Sequence, residues 1–307
     1  MTSDSTDSTG STIPEPKPTT RSPHAKHWLL DPGTTFLNHG SYGACPIPVL
    51  DAQTRYRREM EAEPVVHFLE RCEQHLDRAR SMWARELAGD ETNLAFTTNA
   101  TAAMSAIIHS IDWQRGDEVL VNDHEYMSVI NDLRRLEQRV GIKVVTANIP
   151  FPIVSQDQAL DAILTKASDN TRLAVVSHVT SPTALVLPIE RIVKGLKDRG
   201  IETLVDGAHT PAQISINLAA IDPAYFVADL HKWACSPKGT GVLYARADKH
   251  DGLRPLALSS RAHEARPDRS LFLKDFDYQG TDDHTPLIAS ADALEFHLRM
   301  VDWMDKP

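Results

Sequence analysis

Short apolar segments of strand length alternate with helical stretches along most of this chain, and that alternation restricts it to an α/β fold. EVLVN (118–122), KVVTANI (143–149), RLAVVSHV (172–179) and ETLVDGAH (202–209) read as strands, the third almost continuously apolar. Helical patterns fill the gaps at 126–139, 156–167 and 188–199, the last with Pro188 early, where a missing N–H costs little. NLAF (93–96) adds a strand, after which TTNAT (97–101) opens a helix with Thr98 or Asn99 as its N-cap. AYFVADLHKW (224–233) and GVLYAR (241–246) complete the set. The pattern predicts a mostly parallel sheet with helices on both faces. GVLYAR follows its predecessor so closely that antiparallel pairing is open to it. Ligands of such sheets sit at the C-terminal ends of the strands.

The flanking segments read differently. Residues 1–23 are rich in Pro, Ser and Thr and are expected to form a disordered tail, with ordered structure from near Trp28. FLNHGSYGACP (36–46) is a Gly-rich turn segment, and Pro48 to Leu87 follows a helical pattern broken at Pro64. Ser155 and Gln158 are placed to form a capping box. The formal charge of −10 argues against a nucleic-acid binder, although a local basic pocket for a small anion is compatible with it. Cys45, Cys72 and Cys235 form no CxxC pair, which suits a reducing cytoplasm. No apolar run approaches the roughly 18 residues of a membrane span, and no signal-peptide core is visible.

Three features just after strands carry chemistry by residue type. Thr97-Thr98-Asn99-Ala100-Thr101 starts a helix, whose free N–H groups can bind a phosphate or simply be capped. Asp206 of DGAH, at a strand end, needs a cation or donor if buried, and otherwise starts a turn. Lys232, between His231 and Trp233, is a Schiff-base nucleophile if desolvated and an ordinary surface lysine if not. Gln279-Gly280-Thr281-Asp282-Asp283 reads only as a polar turn. HExxH is absent because residue 128 is Ser, so no metal site is expected, and no GxGxxG follows a strand. His75, His109 and His263 read as ordinary histidines, and Cys235 as a buried filler.

Taken together, FLNHGSYGACP, FTTNATAAM, LVNDHEY, HVTSPTALVLPI, LVDGAHTPAQ, ADLHKWACSPKGTGVLYAR and QGTDD resemble the class V aminotransferase family, within its isopenicillin N epimerase-like branch. The likeness covers about residues 36 to 283 and implies a fold-type I enzyme dependent on pyridoxal 5′-phosphate (PLP). By resemblance, Lys232 forms the Schiff base and moves protons at the substrate Cα, while Asp206 partners the pyridine nitrogen. His209 is assigned to the cofactor O3′ region, and Asn99, Ala100, Thr101 and His231 to its phosphate. His124, or else Tyr126, stacks on the ring, and Asn38 and His39 line the substrate side. Thr281 resembles a residue that reaches a phosphate across a homodimer interface.

Three positions depart from the family pattern: Asp229 where Ser, Asn or Thr is usual, Ala184 where Gly is common, and Asp282 where Arg is frequent. A carboxylate at 229 is expected to repel a phosphate dianion unless it is protonated or turned away. Residues 24–285 are expected to form the PLP-binding large domain and 286–307 the start of a truncated C-terminal segment. The small C-terminal domain that normally supplies an Arg for the substrate carboxylate is missing from this reading. The resemblance implies an amino acid or its derivative as substrate, with epimerisation, transamination or elimination at Cα. The alternatives are cysteine desulfurase or C–S lyase-like chemistry, for which the cysteines lie in the wrong contexts, and a PLP-binding relic without turnover.

Overall fold

The computed structural model describes residues 22–304, so nearly all of the tail expected over 1–23 lies outside the described residues. Seven strands form one sheet: β1 Leu94–Thr97, β2 Glu118–Asn122, β3 Lys143–Ala147, β4 Thr171–Ser177, β5 Glu202–Asp206, β6 Tyr225–Asp229 and β7 Gly241–Ala245. Their spatial order is β1-β7-β6-β5-β4-β2-β3. The strands from β2 to β6 pair in parallel, whereas β7 runs antiparallel to both β6 and β1. The short link from β6 to β7 leaves no room for the crossover that a parallel neighbour requires.

Alternate side chains of each strand feed two cores. Leu120, Val205 and Phe226 pack on one face with Leu76, Trp83, Ile192 and Leu196. Val119, Val121, Leu204 and Val227 pack on the other with Met104, Ile107, Leu133 and Leu136. The Cys72–Glu86, Gln156–Lys166 and Ile189–Lys197 helices therefore cover one side, and the Ala100–Ser110, Met127–Val140 and Leu271–Asp277 helices the other. Ile189, Ile192, Val193 and Leu196 repeat at helical spacing and are all buried. Gly141, at φ +86°, ends the Met127–Val140 helix in the left-handed region.

The capping box expected at Ser155 does not form. Ser155 is the N-cap residue of its helix but makes no side-chain cap bond, and Gln158 Oε1 accepts instead from Val154 N–H at 2.9 Å. The glutamine reaches one residue beyond the cap and satisfies the chain before it. The helical region before β1 is also less regular than its pattern: a π turn, His67–Arg71, separates Pro64–Val66 from the Cys72–Glu86 helix.

The C-terminal Ser290–Met304 helix lies against the Ile47–Ala62 and Cys72–Glu86 helices. Trp83 Nε1 donates to Ser290 Oγ at 3.1 Å, and Arg78 pairs with Glu295 at 2.7 Å. Among the described residues no helix is long and apolar enough to cross a membrane. Trp83 is fully buried at this junction. Trp83→Ala is expected to cost about 3–5 kcal/mol in chemical denaturation, the range for deleting a large core aromatic.

Candidate active site at the C-terminal edge of the sheet

Register sets the site. Ser177 pairs with Asp206 across β4 and β5, and Gly241 lies opposite both Asp229 of β6 and Thr97 of β1. Thr97, Ser177, Asp206 and Asp229 thus end their strands along one edge of the sheet. The Gly241 position also admits the start of the next helix: a Cβ there would stand 2.9 Å from Ala228 O and 3.0 Å from Asn99 Cα. That close approach places the N-terminus of the Ala100–Ser110 helix beside β6. Asn99 is the N-cap, its Oδ1 accepting from Ala102 N–H at 2.8 Å.

Lys232 is the centre of this edge. It is 9% exposed, and its Nζ lies 3.0 Å from Asp229 Oδ2. Asp229 Oδ1 accepts from Ala100 N–H at 2.8 Å, so the carboxylate joins the lysine to the helix start. His231 Nε2 lies 3.9 Å from the same oxygen, while its Nδ1 bonds Thr240 O at 3.0 Å. The Tyr126 ring is the aromatic face presented to Lys232, with Nζ 5.8 Å from its centroid. His124 is engaged elsewhere: its Nδ1 meets Thr183 Oγ1 at 2.8 Å and its Nε2 meets Ile149 O at 3.1 Å.

The loop carrying Lys232 is held from outside by the Gly-rich segment. Gly43 N–H donates to His231 O at 2.9 Å, and a Cβ on Gly43 would fall 1.9 Å from Lys232 O. The same segment delivers His39, whose ring stacks on Trp233 at 6.2 Å and whose Nδ1 accepts from Ala44 N–H at 3.3 Å. Asn38 bonds to Ser41 in a local turn. Asn38, Thr180, His209 and Trp233 line a cleft of about 180 Å³ that Ala184 also borders. Ala184 has φ +53°, the left-handed conformation that explains why glycine is common at this position.

Asp206 is 4% exposed, and its Oδ1 accepts from Ala208 N–H at 2.8 Å. Burial raises its carboxyl above the usual range. Glu125, which the sequence reading passed over inside NDHEY, is buried beside it. Asn122 Nδ2 and Ser177 N–H each donate to Glu125 Oε2 at 3.0 Å, and Ser177 Oγ contacts Oε1. Burial, and then the charge of Asp206, raise Glu125 strongly. His209 accepts from Trp233 Nε1 at 3.3 Å and is lowered to about 4, mainly by burial and next by Lys232.

Two predicted residues lie outward of this cluster. Thr101 is exposed and bonds to Ser128 Oγ at 3.2 Å. Thr281 bonds to Tyr278 at 3.0 Å and lines a cleft of about 520 Å³ with Thr97 and Thr98. Buried Arg80, paired with Asp277 at 2.8 Å, anchors the helix that leads into this turn.

The residues present fit PLP. Asp206 is a buried residue and its one hydrogen bond falls on Oδ1, which leaves Oδ2 open to a pyridinium N–H. Lys232 is desolvated beside a helix N-terminus and an aromatic face. An α/β sheet with a buried lysine and a buried carboxylate at its C-terminal edge matches the architecture of a fold-type I PLP enzyme.

The Aminotransferase class-V family model matches residues 36–303, and the chain belongs to that family. It is 34% identical over 279 residues to isopenicillin N epimerase of Amycolatopsis lactamdurans, covering 87% of this chain and 70% of that protein. It is 30% identical over 232 residues to a putative L-cysteine desulfhydrase of Oryza sativa subsp. japonica, covering 70% of this chain and 48% of that protein. A solved C-DES variant with glycine covalently linked to its PLP cofactor has the same fold. The two superpose with a TM-score of 0.81 at 22% identity, over 91% of this chain and 74% of that one.

The two buried carboxyls make a signed prediction. A carboxyl raised on folding stabilises the native state at low pH, and that contribution is lost as pH rises through the folded value. Glu125 and Asp206 are both raised. The cofactor-free protein should therefore lose more melting temperature than Glu125→Gln between about pH 5 and about pH 9. Parallel slopes in thermal scans would show that Glu125 carries no raised proton.

Proposed function

We propose that this chain binds PLP through Lys232 and acts at the Cα of an amino acid or amino-acid derivative, in the manner of an isopenicillin N epimerase-like enzyme. The observation that carries this reading is the convergence of a buried lysine, a helix N-terminus and a buried carboxylate with a free oxygen at one sheet edge. When bound, PLP supplies a conjugated electron sink that stabilises negative charge at Cα.

The protein's own residues then have distinct tasks. Lys232 would hold the cofactor by its aldehyde carbon and would move protons at the substrate Cα. Asp206 keeps the ring nitrogen protonated, which the buried, hydrogen-bonded carboxylate is suited to do. Asn99, Ala100, Thr101 and His231 form the phosphate subsite at the helix start, where Asp229 holds the Ala100 N–H before the cofactor arrives. Tyr126 is favoured over His124 for the ring face because its ring is the one beside Lys232 Nζ. His209, held neutral by its lowered pKa, serves the O3′ side; Asn38 borders the substrate cleft, and His39 stands behind it, stacked on Trp233. Thr281, exposed beside Thr97 and Thr98, would serve a second copy of this chain, giving a homodimer. The three free cysteines suit a cytoplasmic location.

A second reading, release of a sulfur leaving group from Cβ, draws on the likeness to the rice desulfhydrase. It does not extend to a persulfide-forming thiol in this chain. Burial raises Cys235 to about 11, and Cys45 and Cys72 to about 12, so all three stay protonated near neutral pH.

The test is Cα exchange in D₂O by the PLP-loaded protein across a panel of L-amino acids, with Lys232→Ala beside it. Deuterium incorporation is expected in the wild type and absent in the variant. Appearance of the D-enantiomer assigns epimerisation, and sulfide from cysteine assigns elimination. Exchange that persists unchanged in Lys232→Ala contradicts the role given to that lysine.

A further inference from the structure

Asp229 already occupies the donors that an incoming anion would use. Its Oδ1 takes the Ala100 N–H at 2.8 Å, its Oδ2 takes Lys232 Nζ at 3.0 Å, and His231 Nε2 stands 3.9 Å away. The carboxylate is 6% exposed, so solvent screens it little. Its position at the end of β6, across from Gly241 and beside the Ala100–Ser110 helix, leaves it facing the helix N-terminus.

We propose that Asp229 is a built-in anion of the phosphate subsite, which holds Lys232 and Ala100 before loading and weakens the site for the phosphate of the cofactor. The inference rests on the PLP reading above and adds the residue that sets how much the phosphate contributes. Two like charges sharing one helix start repel, and the loss is larger in a buried site than in water. A neutral side chain at 229 would leave the Ala100 N–H to the phosphate.

The same carboxylate serves loading. An amine attacks an aldehyde only as the free base, so the Lys232 ammonium first gives up a proton, and Asp229 Oδ2 is the acceptor 3.0 Å away. The nitrogen lone pair then bonds to the aldehyde carbon, and the aldehyde oxygen leaves as water with the two remaining amine protons. That proton then passes to solvent, so Asp229 is again an anion beside the phosphate, and the repulsion between the two lowers affinity.

The experiment titrates the cofactor-free chain with PLP and with pyridoxal, which lacks the phosphate, and follows the visible absorbance. Wild type, Asp229→Asn and Asp229→Ser are compared, with folding checked by far-UV circular dichroism. The ratio of PLP to pyridoxal affinity is expected to rise about tenfold or more in either variant, on the scale of one removed charge repulsion. An unchanged or lower ratio in a folded variant overturns the proposal. The wild type gives a second test: its own ratio should lie below about a hundredfold, less than two charge-assisted hydrogen bonds would supply. A higher wild-type ratio also overturns it. If neither aldehyde reacts at Lys232, the PLP reading itself fails. If PLP binds but the ratios behave otherwise, only this inference falls.

Discussion

A buried ammonium needs an anion within hydrogen-bond reach, and Asp229 meets that need for Lys232 while also taking the first free N–H of the Ala100–Ser110 helix. That arrangement depends on the sheet. β7 returns antiparallel between β6 and β1, which brings the ends of β6 and β1 to either side of Gly241. Only a residue without a Cβ lets Asn99 come so close. The Gly43 contact on Lys232 O then fixes the loop from the opposite side. Lys232 is therefore placed by backbone packing more than by its own side chain.

The second feature of the edge is an excess of buried acid. Asp206 and Asp229 lie near Lys232, Glu125 is buried beside Asp206, and both Asp206 and Glu125 are raised as a result of burial. Such a set is expensive in a chain that only had to fold. It is reasonable in one that must hold a protonated ring nitrogen and move protons beside it. The hydrogen bonds from Asn122 and Ser177 keep Glu125 fixed where its state responds to Asp206.

The sheet was legible because its strands are short apolar runs bounded by turns, and the brief 234–240 link favoured an antiparallel β7. Lys232 and Asp206 could be picked out by residue type and position after strands, and the family likeness then ordered the lesser residues. Glu125 was not legible: it sits in a polar turn, and its partner Ser177 is 52 residues away in sequence. Nor could NDHEY show which ring the fold turns toward Lys232; Tyr126 is the one 5.8 Å from its Nζ. Asp229 was recognised as a departure, but its pairing with Lys232 and Ala100 belongs to the fold. Local pattern also misled at Gln158, where a cap motif was present in letters and the side chain bonded one residue further back.

The central claim is that Lys232, and no other lysine, carries the cofactor. Loading the protein with PLP, reducing with borohydride and mapping the modified peptide by mass spectrometry tests it most directly. The account predicts a single pyridoxyl-phosphate adduct on Lys232. An adduct on Lys238, whose Nζ contacts Gly43 O nearby, or no stable adduct at saturating cofactor, would contradict it.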